Sequence, residues 1–148
     1  MAIIFKDPKV RAARKTRKVG GMGADELKRP EDVPGLINGI QAGSSYEWNI
    51  ARGGWALGWT FQYQVPMFGG RMVRGGLVLD FIFPTRPART VIQPEGAYWH
   101  LDTDLDEQED IRILNELGWS TRMLHPGLME CGTFEAAMQY LRKEIGRA

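Results

Sequence analysis

The chain contains a single cysteine, Cys131, among 148 residues. That excludes an internal disulfide framework and any cysteine-based zinc finger, and it fits a reducing compartment. No apolar run approaches the ~20 residues of a membrane helix, so no membrane partner is expected. The opening Met1-Ala2-Ile3-Ile4-Phe5-Lys6-Asp7-Pro8 has no apolar core of the kind a secretory signal needs. No internal repeat or low-complexity stretch is visible. A P-loop, a dinucleotide glycine fingerprint and a zinc-protease motif are also missing, which argues against a nucleotide cofactor or a protease. What remains is an ordinary globular mixture, 43% hydrophobic and 25% charged. The length allows one domain with a core large enough to fold without staples. The expected location is the cytoplasm, or the inside of a phage particle or its host's cytoplasm.

Charge of one sign is also lacking: the net value is +1. The total hides an uneven distribution. Residues 1–35 carry nine basic and five acidic side chains. Seven of the nine, Lys6, Lys9, Arg11, Arg14, Lys15, Arg17 and Lys18, fall within thirteen residues. Residues 100–117 carry seven acids and one base. A basic arm suits nucleic acid, because neutralised phosphates release counterions. A solvated tail that keeps the protein soluble accounts for the same residues.

Residues 1–43 read as an extension, rich in Lys, Arg, Gly and Pro with weak periodicity. The domain proper is expected over 44–148. Ser44-x-x-Glu47 has the form of a capping box. Trp48, Ala51 and Trp55 follow at helical spacing, so a helix is expected from Ser45 to Leu57, ended by Gly58. Gly53-Gly54 weakens its middle. Trp59 to Pro66 alternates aromatic and polar residues as a half-buried strand does. Gly76 to Phe83 is apolar on both faces and reads as a central strand. Arg89 to Glu95 is a third strand. Asp104 to Leu117 reads as a helix, Trp119 to Leu124 as a fourth strand. Thr133 caps a last helix with Phe134, Ala137, Met138, Leu141 and Ile145 on one face. The order α-β-β-β-α-β-α implies an α/β domain with a central mixed four-stranded sheet flanked by helices.

One acid interrupts the apolar strand. Asp80 sits among Leu77, Val78, Leu79, Phe81, Ile82 and Phe83. A carboxylate there is costly unless paired, protonated or bound to metal. Such local conflicts mark functional positions. A symmetric hairpin about 84–89 pairs Phe83 with Thr90, Ile82 with Val91, Phe81 with Ile92 and Asp80 with Gln93. Glu95 then shares a face with Gln93. Asp80, Gln93 and Glu95 would converge as oxygen ligands for Mg²⁺ or Mn²⁺. A one-residue slip would separate them. The competing account makes Asp80 exposed near a strand end, or satisfied by Arg74 or Arg122.

Val78-Leu79-Asp80-Phe81, Val91-Ile92-Gln93-Pro94-Glu95-Gly96-Ala97-Tyr98-Trp99-His100, Asp110-x-Arg112, Leu114-x-x-Leu117-Gly118-Trp119 and Arg122 occur in this order. Together they resemble the PD-(D/E)XK nuclease superfamily, in its very-short-patch-repair-like endonuclease branch, over residues 44–146. The resemblance implies a restriction-endonuclease-like core with Asp80 as first metal-binding acid. Gln93 and Glu95 fall on the (D/E)XK positions. Gln replaces the first acid there and Glu replaces the lysine, so the usual water-orienting group is missing. Glu47 matches the family's helix glutamate and equally the third residue of a capping box. His100 resembles the family's histidine after the acidic strand, where it can orient water or contact phosphate. His125 reads as structural. Asp110 and Arg112 are expected to make helix-surface or helix-to-sheet contacts, and Trp99 and Trp119 to be core.

The resemblance implies Mg²⁺-dependent (or Mn²⁺-dependent) hydrolysis of DNA phosphodiesters. Asp80, Gln93, Glu95, Glu47 and His100 would form the catalytic set. The basic arm, with Arg71, Arg74, Arg86 and Arg89, would hold the DNA backbone. The alternative is a non-catalytic DNA-binding module on a nuclease-like fold, or a homo-oligomeric or structural component of a larger assembly such as a phage particle. A metal-dependent phosphatase or other hydrolase is a third reading.

Overall fold

A computed structural model of the chain describes residues 29–85, 88–95 and 103–146. Its first part is a 3-10 turn, Pro30–Asp32, followed by a two-stranded hairpin of β1, Leu36–Ile37, and β2, Ile40–Gln41. The hairpin turns at Asn38-Gly39, both with positive φ, +49° and +87°. This pair favours the tight turn that matches strand twist. Ile37 is fully buried in the core. Trp48 Nε1 donates to the Glu31 carbonyl at 2.9 Å, and Arg52 pairs with Asp32 at 2.7 Å. Residues 29–43, read from sequence as part of the extension, therefore pack onto the domain.

Helix α1, Ser45–Ala56, starts as the capping pattern predicts, with Ser44 Oγ accepting from the Glu47 amide at 3.2 Å. The glycines in its middle have a packing reason. A Cβ at Gly53 would lie 3.0 Å from Leu141 and 3.3 Å from the backbone of Met138. Glycine lets this helix close onto the last one.

The sheet comprises β3 (Gln62–Met67), β4 (Leu77–Phe83), β5 (Thr90–Ile92) and β6 (Arg122–Leu124), hydrogen-bonded in that order. β3–β4 and β4–β5 are antiparallel, and β5–β6 is parallel. The β4–β5 register matches the symmetric hairpin: Phe83 with Thr90, Ile82 with Val91, Phe81 with Ile92. Pairing with β6 continues past β5, since the amides of Gln93 and Glu95 donate to the carbonyls of Leu124 and Pro126.

Helix α2, Thr103–Leu117, connects β5 to β6, and α3, Leu128–Cys131, precedes α4, Phe134–Glu144. One apolar cluster joins α1 and α4 to the sheet through Ile50, Phe61, Phe81, Phe83, Leu141 and Ile145. A second joins α2 to the other side through Leu79, Ile82, Val91 and Ile113. The domain is thus an α/β sandwich with a mixed sheet in the middle.

The fourth strand is shorter than expected. Gly118, at φ +109°, turns the chain, and β6 begins only at Arg122. Trp119 consequently stands 64% exposed, its indole donating to Asn115 at 3.0 Å. It is not a core residue. Among the described residues no helix is long and apolar enough to cross a membrane.

Candidate functional site

The site is built where β3 and β4 stop being regular. Their register runs Tyr63 with Phe81 and Val65 with Leu79, and the pair between, Gln64 and Asp80, is missing from the ladder. Gln64 adopts φ +57°, the left-handed region that a residue with a side chain rarely enters. The side-chain alternation reverses there. Tyr63, Phe81 and Phe83 belong to the α1/α4 core, whereas Val65, Leu77 and Leu79 belong to the α2 core. A regular strand would keep 63 and 65 on one face, and likewise 79 and 81.

Asp80 lies in this crossover and is only 2% exposed. It is neither a strand-end residue nor a partner of Arg122, which instead holds Glu144 through its carboxylate (2.5 Å) and carbonyl (2.6 Å). Asp80 Oδ1 accepts from Gln64 Nε2 at 3.1 Å. Its own amide donates to Gln93 Oε1 at 2.6 Å. Gln93 is therefore beside Asp80, as the register requires, and its carbonyl oxygen faces a backbone N–H.

Glu47 reaches the same place from α1. It is 3% exposed. Its Oε2 accepts from Ser44 Oγ at 3.0 Å, and its Oε1 accepts from Tyr63 at 2.6 Å and from Gln64 Nε2 at 3.4 Å. The cap and the site share one side chain. Burial, then the Glu47 carboxylate, push the Tyr63 phenol up, which keeps it protonated and donating. Gln64 Oε1 in turn accepts from Arg71 Nη2 at 3.2 Å, on the exposed loop between β3 and β4. Arg74 is exposed on the same loop.

Glu95 turns away to a second cluster. Its Oε1 is 2.8 Å from His125 Nδ1, and Asp110 Oδ2 is 2.7 Å from Nε2. Burial disfavours the imidazolium, but the hydrogen bond with Asp110, the close contact with Glu95 and the charges of both acids outweigh it and push His125 up to about 10. His125 is thus a protonated link between the end of β5, the end of β6 and α2, the structural role read from its place before Pro126. Asp110 contacts the sheet side through it. Arg112 lies over the Phe68 ring at 4.3 Å and donates to the Gly75 carbonyl at 2.8 Å, fastening the β3–β4 loop to α2.

The structure brings Glu47, Asp80 and Gln93 together and directs Glu95 to His125. Tyr63, Gln64, Asp110 and His125 enter the clusters unanticipated as site residues. Tyr63 and Gln64 could have been noticed only as polar groups in an aromatic strand. His100, the run Lys9, Arg11, Arg14, Lys15, Arg17, Lys18, and Arg86 lie outside the described residues. Arg89 lines a cavity of about 670 Å³ with Gln62, Thr85, Ser120 and Thr121, at the opposite end of β6 from His125, so it does not join Arg71.

Among the described residues, no group of three His, Cys, Asp or Glu side chains is placed to hold a metal ion. The oxygen-rich donor set at Glu47 and Asp80 nevertheless suits a hard divalent cation better than zinc. Compared with known proteins, the chain matches no family model, no curated protein and no solved structure.

Proposed function

We propose that the chain is a metal-dependent DNA endonuclease of the PD-(D/E)XK kind on a restriction-endonuclease-like core. The observation that carries this reading is Asp80, buried inside a central strand with Glu47 from the first helix on one side and Gln93 on the other. A carboxylate kept in such a place against its solvation cost has a use. Asp80 and Glu47 would hold Mg²⁺ or Mn²⁺, with Gln93 fixing the backbone of Asp80. When bound, the cation lowers the pKa of a water and stabilises negative charge on a scissile phosphate. The chain's own groups orient this site: Tyr63 steadies Glu47, and Arg71 with Arg74 lies on the exposed loop beside it, available to phosphate. Purified protein is expected to cleave single-stranded, duplex or branched DNA with Mg²⁺ or Mn²⁺, and Asp80→Ala to abolish this. Inertness on all three substrates with both metals would sink the reading for DNA.

A second reading keeps the DNA and removes the chemistry. It is favoured by Gln93 Oε1 facing the Asp80 amide and by Glu95 being held by His125. A non-catalytic DNA-binding or assembly component would bind DNA in a salt-dependent way and leave it intact.

A further inference from the structure

The reading of Glu47 and Asp80 as a cation site leaves Gln64 without a role. Its left-handed backbone, φ +57° in the middle of β3, is held by its surroundings. Nε2 donates to Asp80 Oδ1 at 3.1 Å and to Glu47 Oε1 at 3.4 Å, while Oε1 accepts from Arg71 at 3.2 Å. The amide orientation follows from its neighbours. Arg71 can only donate, so the amide oxygen faces it and the nitrogen faces the acids.

That nitrogen stands between two buried carboxylate oxygens, where a cation would stand. We propose that the Gln64 amide is a placeholder: it holds Glu47 and Asp80 in ligating positions while no cation is bound, and turns out when Mg²⁺ or Mn²⁺ enters. This rests on the reading of Glu47 and Asp80 as the cation site. Gln64 is a positioning residue that acts through the two acids. A neutral amide offers fractional charge, and a divalent ion offers two full charges with a preference for oxygen, so the ion displaces it. Departure of the amide also releases Arg71, which places an exposed guanidinium beside the site for phosphate. Cation entry and arginine release are one event.

Calorimetric titration of Mn²⁺ into the full chain, Gln64→Gly and Gln64→Asn tests this. Glycine removes the amide and suits the left-handed backbone, so this variant retains the fold. Asparagine tolerates that backbone and keeps an amide that is one methylene too short to bridge both acids. Mn²⁺ is expected to bind Gln64→Gly about tenfold more tightly than wild type, because a competing donor is gone. Gln64→Asn should follow it, and Asp80→Asn should lose binding. In ¹⁵N-labelled wild type, the side-chain amide that disappears in Gln64→Gly should shift as Mg²⁺ is added. Asp80-dependent Mn²⁺ binding by wild type with equal or weaker binding by Gln64→Gly overturns the placeholder and leaves the cation site standing. An amide unmoved at saturating Mg²⁺ does the same. Absence of Mn²⁺ binding in both proteins overturns the cation site and the placeholder with it.

Discussion

Two pairs of carboxylates lie in this domain, and each pair has a nitrogen between its members. Glu47 and Asp80 are bridged by the neutral amide of Gln64, Glu95 and Asp110 by the imidazole of His125. The pairs differ in setting: Asp80 lies inside a central strand and Glu47 in the first turn of α1, whereas Glu95 follows the end of β5 and Asp110 lies within α2. They differ also in what the bridge can carry. An imidazole takes up a proton and brings a full positive charge to its acids. An amide brings none. Under the proposed function the first pair is a cation site, whereas the second is a clamp between sheet and helix.

The comparison breaks most visibly through activity. Asp80→Asn, nearly isosteric, is expected to lower Mg²⁺-dependent DNA cleavage by at least about a hundredfold while leaving the circular dichroism spectrum intact. The second cluster should respond in stability. His125→Leu removes the charge between Glu95 and Asp110 and is expected to cost about 3 kcal/mol in urea unfolding. If it also abolished cleavage with no loss of stability, the assignment of clamp and site would be reversed. Acidity gives a finer test. His125 is raised in the folded state from 6.5 to about 10. Its contribution is complete below its unfolded value and is lost as pH rises through the folded one. Wild-type stability should therefore fall between about pH 6.5 and 10, beyond the fall shown by His125→Leu. The smallest effect belongs to Tyr63→Phe, which deletes one donor to Glu47 and is expected to cost about 1 kcal/mol, read from thermal unfolding.

Much of the frame was legible in the sequence. The order of seven elements follows from periodicity and from Gly and Pro punctuation. The β4–β5 register follows from hairpin symmetry about the turn, and the α1 start from Ser44. Other features were hidden for identifiable reasons. The β1–β2 hairpin carries an Asn38-Gly39 signal, but its strands are two residues each, too short for periodicity to reveal. α3 is a single four-residue turn. Trp119 follows a glycine that turns the chain outward, and an aromatic side chain alone does not say whether it is covered. In the site, Asp80 and Gln93 follow from register, while Glu47 is offered only by the resemblance and is equally explained by the capping pattern. Glu95 does not join them, because backbone pairing places it next to His125, a partner distant in sequence. Nothing in Tyr63-Gln64-Val65 announces the reversal of faces, since the letters alternate as in a regular strand while the backbone does not.

That reversal has a mechanical consequence. Each of β3 and β4 contributes one half to the core under α1 and α4 and the other half to the core under α2. The strands act as a hinge pin through both layers, so neither layer can loosen while the other stays packed. Amide hydrogens on opposite sides of the sheet should then exchange through the same opening event, with Gln64 and Asp80 at its pivot.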